Sequence, residues 1–336
     1  MKALVLKGPE CLEVENVAVP RPSGGQVLIR VKYCGICGSD LHAYHVGQPG
    51  GLIMGHEFTG VIEEIGSGVT GWTTGQRVAV IPGLLCGKCS SCRQGLYNLC
   101  ERSRYGGLGL MAPGAMAGYI CVNCDLLREL PENVDYLSGT LAEPLAVALH
   151  AVCRGDLRVG EKVLITGAGP IGMLSLQLAI VGGATETWVI ESIQERQELA
   201  LKMGASHVLP PGKDSLRVIR RQTEPGVDLA LECAGVPDAL NTAIKSLRPR
   251  GRVVVASIHQ NPVEVEFNRI AVKEIQIRGS FGFIGGEMES ALDLISKDPG
   301  SYQSLITGVV SLEEGPAAFS ELIKERKGIK TVIKID

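Results

Sequence analysis

The chain predicts an α/β protein in two parts, an irregular β domain followed by a doubly wound parallel sheet. Three observations carry the prediction. Residues 1–150 are rich in glycine, valine and short alternating apolar runs. From Glu161 the pattern becomes strand, glycine turn, helix, and then repeats. Within the first part, four cysteines fall together as Cys86-x-x-Cys89-x-x-Cys92-x7-Cys100. Short alternating runs bounded by Gly and Pro build half-buried strands. Alternating strands and helices place parallel strands in one sheet with helices on both faces. A length of 336 residues suits about two domains.

The elements follow in order. Met1 to Pro9 reads as a first strand, and Val27–Tyr33, Gly60–Gly66 and Gln76–Ile81 as further strands with Gly or Pro at or near their ends. Over Leu141–Val152, apolar residues recur at three- and four-residue spacing, which predicts a helix. Lys162–Thr166 is a buried strand, Gly169 to Gly182 a helix, Thr187–Ile190 the next strand and Ile193 to Gly204 the next helix. Val208–Leu209, Val227–Glu232 and Gly251–Ala256 continue the series. Helices over Met288–Ile295 and Gly315–Glu325 precede a terminal strand, Thr331–Ile335. That strand is short and charged, which suits a sheet edge in the first domain. The expected domains are 1–153, 154–287, and a segment 288–336 that returns to the first.

Bulk composition excludes several classes of function. An apolar fraction of 45% and a charged fraction of 21% are ordinary for a soluble globular chain. No apolar run reaches the roughly 20 residues that span a bilayer, and the N-terminal run is broken too soon to be a secretory signal. A membrane partner is therefore not expected. A net charge of −3 offers no general attraction to nucleic acid. Residues 83–106 hold Lys88, Arg93, Arg102 and Arg104 against Glu101, a mild basic excess only. Eleven cysteines without a signal point to a reducing compartment, the cytoplasm, where thiols serve metals.

Two motifs carry cofactors. In the four-cysteine stretch, C-x-x-C spacing brings two sulfurs to one ion from a tight turn, and Cys86, Cys89, Cys92 and Cys100 together complete a closed tetrathiolate zinc site. A closed site is structural. The second motif, Gly167-Ala-Gly169-Pro170-Ile171-Gly172, directly follows a strand and opens a helix. In that context the glycines allow a tight turn, backbone approach to a pyrophosphate, and close helix–strand packing, with the helix N-terminus facing the anion. An acidic residue should follow at the end of the next strand to bind the ribose diol. Glu191 is there, 24 residues after Gly167. Its carboxylate opposes a 2′-phosphate, which favours NAD over NADP, and Arg196 is placed to pack on the adenine or reach the ribose.

A third group is dispersed. Cys37 lies in Gly35-Ile-Cys37-Gly-Ser39-Asp40-Leu-His42, His56 and Glu57 in Gly55-His56-Glu57, and Glu143 in Leu141-Ala-Glu143-Pro144. A sulfur, an imidazole and a carboxylate form a three-ligand zinc site with one open position. An open zinc is a Lewis acid that lowers the pKa of a bound alcohol.

Together these motifs resemble the zinc-dependent medium-chain dehydrogenase/reductase superfamily of the alcohol dehydrogenase type, over nearly the whole chain. The resemblance implies a GroES-like catalytic domain and a Rossmann coenzyme domain, two zinc ions per chain, and NAD. The family's first catalytic-zinc ligand falls on Cys37 and its histidine ligand on His56. Glu57 matches a ligand of polyol dehydrogenases that is intermittent elsewhere. The remaining family position, a cysteine in liver-type enzymes, is Glu143 here, so the direct carboxylate ligand stays open between Glu57 and Glu143. The string after Glu143 looks like the sorbitol and 2,3-butanediol dehydrogenase branch. The family's zinc-side hydroxyl falls on Ser39, its proton-relay histidine on His42, and a histidine-orienting carboxylate on Asp40. Glu57 is a second candidate route for the proton.

The resemblance thus implies oxidation of a secondary alcohol, vicinal diol or polyol to the ketone by hydride transfer to NAD. It also implies a homodimer or homotetramer joined near Val272–Gly282. A threonine-dehydrogenase-like oxidation of an amino alcohol is the alternative within the same chemistry. A reductase working without catalytic zinc would have lost Cys37 or His56. A non-enzymatic zinc module would need a basic surface. Of the other candidates, Cys121 and Cys124 sit on a strand run that turns them to opposite faces. Cys11, Cys34, Cys153 and Cys233 are expected to be small core residues. His45 is a candidate to line the cleft, His150 a structural histidine, and His207 and His259 show no partner in the sequence.

Overall fold

The computed structural model describes residues 1–47, 51–103 and 106–335; Arg104, counted above in the basic excess, lies outside them. The chain divides into two compact units, Met1–Glu143 with Ile284–Asp336, and Pro144–Phe283.

The first unit is built on one long strand, Gln26–Gly35. Along one side it pairs antiparallel with Glu57–Ile65. Its other side is shared: Gln26–Arg30 pair with Tyr119–Asn123, and Tyr33–Gly35 pair with Val332–Lys334. The full sheet runs Ile306–Ser311, Lys330–Lys334, Gln26–Gly35, Glu57–Ile65, Arg77–Val80, Leu127–Glu129. A smaller sheet joins Cys11–Asn16, Lys2–Gly8 and Leu52–Ile53. Leu4, Ile29, Met54, Phe58, Phe319 and Ile333 fill the core between them.

The terminal strand, Lys330–Lys334, belongs to this sheet but is not its edge. Ile306–Ser311, which the sequence reading missed, pairs parallel with its outer side. Two facts explain the error. Val332 and Ile333 are fully buried, and Lys330 is buried too. The lysine is paired inside the protein, so its charge does not mark a solvent-facing strand.

The second unit is a six-stranded parallel sheet in the order His207–Leu209, Glu186–Ile190, Lys162–Thr166, Val227–Glu232, Leu247–Val255, Gln276–Gly279. In chain order this is third, second, first, fourth, fifth, sixth, the doubly wound arrangement. Its ligand crevice lies outside the carboxyl ends of the strands, where the order reverses between the first and the fourth. Residues of the central strands are almost all buried, which is why they read as apolar runs and not as alternation. At the opposite ends of the strands, Arg252 donates to both carboxylate oxygens of Glu161, at 3.0 and 2.5 Å, and to the Gly155 carbonyl at 2.7 Å. This buried, bidentate pair ties the chain entering the sheet to its fifth strand.

Candidate active site

The structure brings Cys37, His56 and Glu57 together, with one ligand atom from each within 4.8 Å of the others. Local chemistry sets each position. Cys37 stands at the N-cap of the helix Gly38–Val46. Its backbone N–H donates to Asp40 Oδ2 at 2.9 Å, so Asp40 caps the helix that Cys37 opens. His56 and Glu57 lie side by side where the strand Glu57–Ile65 begins. The other carboxylate oxygen of Asp40 faces His56 Nδ1 at 3.4 Å. This leaves Nε2 for a ligand, and Ser39 Oγ lies 3.5 Å from that nitrogen. A carboxylate behind a metal-binding histidine can fix the ring and its tautomer.

The surrounding field is strongly negative. Burial disfavours the His56 imidazolium, but Asp40 and Cys37 outweigh it and hold the ring well above the usual histidine range. The same field attracts a dication, and an ion there would replace the proton on Nε2. Glu143, in the first turn of the helix Ala142–Arg154, is buried and does not join the three-residue cluster. Burial raises its carboxyl to about 7, with His56 pulling the other way. Its carboxylate therefore gains by meeting a cation. Lys330, missed by the sequence reading, contacts Glu57 Oε2 and donates to the Ile36 carbonyl at 2.9 Å. Burial works against its ammonium, but Glu57 and Cys37 keep its pKa above the usual lysine range.

Cys86, Cys89, Cys92 and Cys100 form the other metal-sized group among the described residues, with their sulfurs within 4.8 Å of one another. Backbone N–H groups point at these sulfurs, from Cys89 to Cys86 at 3.4 Å, from Cys92 to Cys89 at 3.5 Å and from Cys86 to Cys100 at 3.4 Å. N–H bonds from Lys88 and Cys92 hold Cys86 and Cys89, respectively, below the usual thiol range. Burial pushes Cys92 up to about 12. Four packed sulfurs cannot all ionise without a cation among them. The donor set fits a closed tetrathiolate zinc.

In the second unit the glycine turn follows Thr166. Gly167 has φ +92, and a Cβ on Gly172 would stand 1.8 Å from the Gly167 carbonyl oxygen, so the turn admits no side chain there. Gly169 faces open space and caps the helix Pro170–Val181, with Pro170 and Ile171 in its first turn. Glu191 Oε2 accepts the Ala168 N–H at 2.7 Å, and its Oε1 accepts those of Ser192 and Ile193 at 2.7 and 2.9 Å. The carboxylate thus ties the end of the second strand to the glycine turn and keeps Oε2 capacity for a ribose hydroxyl. Arg196 lies half-buried in the helix Gln194–Lys202.

Some secondary expectations fail. Cys11 and Cys153 are exposed, because they fall on an outward strand position and in the last turn of a helix. Cys34 is buried and Cys233 half-buried. Among the described residues, Cys121 and Cys124 join no metal-sized group. His45 is exposed and turns to Glu10, with Nδ1 at 2.8 Å from Oε1, rather than toward the cluster. His150 is buried. His207 stacks on Trp188 and pairs with Glu186 at 3.0 Å. His259 reaches Glu232 Oε2 at 3.1 Å beside Ser257, and Glu232 Oε1 accepts the N–H groups of Ala234 and Gly235 at 2.9 Å each. A glutamate ending a strand just before Cys-Ala-Gly was the available sign of this turn.

A thiolate–imidazole–carboxylate cluster in one unit and a glycine turn at the switch point of a doubly wound sheet in the other define a metal-dependent dinucleotide oxidoreductase. Comparison with known proteins agrees. Residues 23–132 match the alcohol dehydrogenase GroES-like domain and residues 170–297 the zinc-binding dehydrogenase domain. D-xylulose reductase A of Aspergillus oryzae is 33% identical over 344 residues, covering 98% of this chain and 96% of that protein. The crystal structure of 2R,3R-butanediol dehydrogenase from Bacillus subtilis superposes with a TM-score of 0.91 at 34% identity, covering 100% and 99% of the two chains. A structure from Sinorhizobium meliloti, described as a zinc-binding dehydrogenase and bound to NADP, gives a TM-score of 0.93 at 30% identity over 99% of each chain. The chain belongs to the zinc-dependent alcohol dehydrogenase family of medium-chain dehydrogenases, and zinc and a nicotinamide dinucleotide are its cofactors. It is an enzyme, which removes the reading as a non-enzymatic zinc module.

Asp40→Asn removes the charge behind His56. It should weaken zinc retention at the Cys37–His56 centre by about tenfold to a hundredfold. In chelator competition this ion should leave more readily while the four-cysteine ion stays. Equal release of the labile ion from variant and wild type would contradict the assigned role.

Proposed function

We propose that this enzyme oxidises a secondary alcohol of a vicinal diol or polyol to the ketone, with NAD as acceptor. The observation that carries the reading is the Cys37–His56–Glu57 cluster, with His56 and Glu57 buried and Cys37 half-buried, and with the Ser39 hydroxyl beside His56 Nε2. The curated polyol and diol relatives support the substrate class. Cys37, His56 and a carboxylate from Glu57 or Glu143 would hold the catalytic zinc, and the four cysteines a structural one. When bound, zinc would supply Lewis acidity toward an alcohol and the nicotinamide would supply a hydride acceptor.

The chain's own groups orient and move the proton. Ser39, on the first turn of its helix, would take the alcohol proton while passing its own hydroxyl proton on through the coenzyme ribose. His42, three residues on and exposed, lies on the same side of the helix and passes the proton toward solvent. An imidazole can both accept and donate a proton, so it serves in both directions. Asp40 holds His56, and Glu191 holds the glycine turn and selects the ribose diol. Cysteines that serve as zinc ligands suit a reducing compartment, which supports a cytoplasmic setting.

A screen of NADH formation across small diols, sugar alcohols, inositols and threonine tests the substrate class. Turnover confined to threonine would favour the amino-alcohol alternative, and turnover of none would refute the proposal. Ser39→Ala should lower kcat by about a hundredfold with zinc content unchanged, and an unchanged kcat would move the proton path to Glu57. Glu191→Ser should narrow the preference for NAD, and a higher kcat/KM with NADP in the wild type would show that Glu191 does not select the diol. The strand Gln276–Gly279 ends the parallel sheet and exposes Ile277, with Val272 exposed just before it. This edge supports a homodimer or homotetramer, and light scattering that finds a monomer would exclude both.

A further inference from the structure

The metal ligands and the glycine turn leave one cluster of the coenzyme unit without a task. Glu232 ends the fourth strand of the parallel sheet, and its carboxylate is fully buried. Its Oε1 accepts the N–H groups of Ala234 and Gly235. Its Oε2 gathers two side chains from the segment that follows the fifth strand, Leu247–Val255. Ser257 Oγ donates to it, and His259 Nε2 lies 3.1 Å away. A ring nitrogen facing an ionised carboxylate is the donor. His259 Nδ1 is buried and has no hydrogen-bond partner among the described residues, so the ring is held through Nε2.

Two anchors on one oxygen, two residues apart, fix the backbone between them. The Ile258 carbonyl packs on the neighbouring loop, where a Cβ on Gly235 would stand 3.0 Å from it. Ile258 turns its side chain to solvent and is 73% exposed. The segment Ser257–His259 is thus pinned on its inner side and open on its outer side. Its place in the sheet says which ligand it faces. A doubly wound sheet is two mononucleotide-binding halves, and a dinucleotide lies across the strand ends where they meet. The first half holds the glycine turn and Glu191, the pyrophosphate and adenosine-ribose groups of the proposed site. The fourth and fifth strands belong to the second half, so this segment lies with the nicotinamide mononucleotide.

We propose that His259, held by Glu232 together with Ser257, is a positioning residue for the nicotinamide half of the coenzyme. This rests on the reading of the glycine turn and Glu191 as the adenosine end of the same site. Without the imidazole, the segment after the fifth strand keeps Ser257 as its one side-chain anchor on Glu232. The loss falls on one half of the ligand. Glu232 keeps its two backbone N–H groups, so the Ala234–Gly235 turn, which packs against Gly167, stays in place. A purely structural histidine would instead weaken the whole site or the fold.

His259→Ala in the zinc-loaded enzyme tests this with two ligands, NADH and ADP, which keeps the adenosine end and lacks the nicotinamide riboside. NADH should bind about tenfold more weakly, the worth of one hydrogen bond to a charged group. ADP should bind within about twofold of wild type, as expected for an independent part of the site. His259→Gln, whose amide N–H can reach the same carboxylate, should restore most of the NADH affinity. Where His259→Ala fails to fold, Ser257→Ala, which removes the other side-chain donor to Oε2, should show the same selective loss. Unchanged NADH affinity, a parallel loss of NADH and ADP, or no recovery in His259→Gln overturns the proposal. Glu191→Ser separates the two levels of inference, since it should weaken ADP and NADH alike. If it leaves both unchanged, the adenosine end itself has been misassigned.

Discussion

The first unit must bury several acids at one point, and much of its architecture answers that requirement. Asp40, Glu57 and Glu143 are buried, and the Cys37 thiol lies among them. An isolated buried charge costs several kcal/mol even after relaxation, so each acid needs a partner. Asp40 has the Cys37 N–H on one oxygen and His56 on the other. Glu57 has Lys330. Glu143 has a carboxyl raised to about 7, so near neutrality it is poised between protonation and a cation. The return of the last strand to the first unit is part of the solution, because it delivers the ammonium. Gly35 is another part, because it leaves space for the pair.

The coenzyme unit solves the same problem without a cation. Glu191 and Glu232 end neighbouring parts of the parallel sheet, and both are satisfied largely by backbone N–H groups of the loops that follow. Such bonds stabilise the ionised carboxylate and shape the loops at the strands' carboxyl ends. There, donors and acceptors must face a polar ligand. A carboxylate fixed in this way need not reorganise to accept a further hydrogen bond.

The two metal-sized groups illustrate how local geometry divides labour. In the cysteine stretch, ligands come from one short segment, the sulfurs are served by that segment's own N–H groups, and an ion there would be closed off. The Cys37 centre draws on a helix cap, a strand start and a distant lysine, and only part of its donor set is committed. That difference suits the first to holding a loop together and the second to exchanging a ligand during turnover.

Much of this was legible in the sequence. The four cysteines, the glycine turn, the Gly-His-Glu string and the parallel-sheet rhythm are local patterns, and local spacing is enough to bring neighbouring ligands or a turn and a helix into place. Glu191 could be placed because the glycine motif expects an acidic residue about twenty residues on, at the end of the second strand. What failed depended on residues distant in the chain. The terminal strand looked like an edge because its charge was read as solvent exposure, yet Lys330 is neutralised by Glu57 in a strand on the far side of its neighbour. The partners of His45, His207 and His259 were likewise invisible, since each is set by packing of separate elements. The sequence alone determined the chemistry available to this protein, because ligand types and spacings are covalent facts. Only the tertiary structure decided which charges meet, because burial and pairing are properties of the assembled sheet.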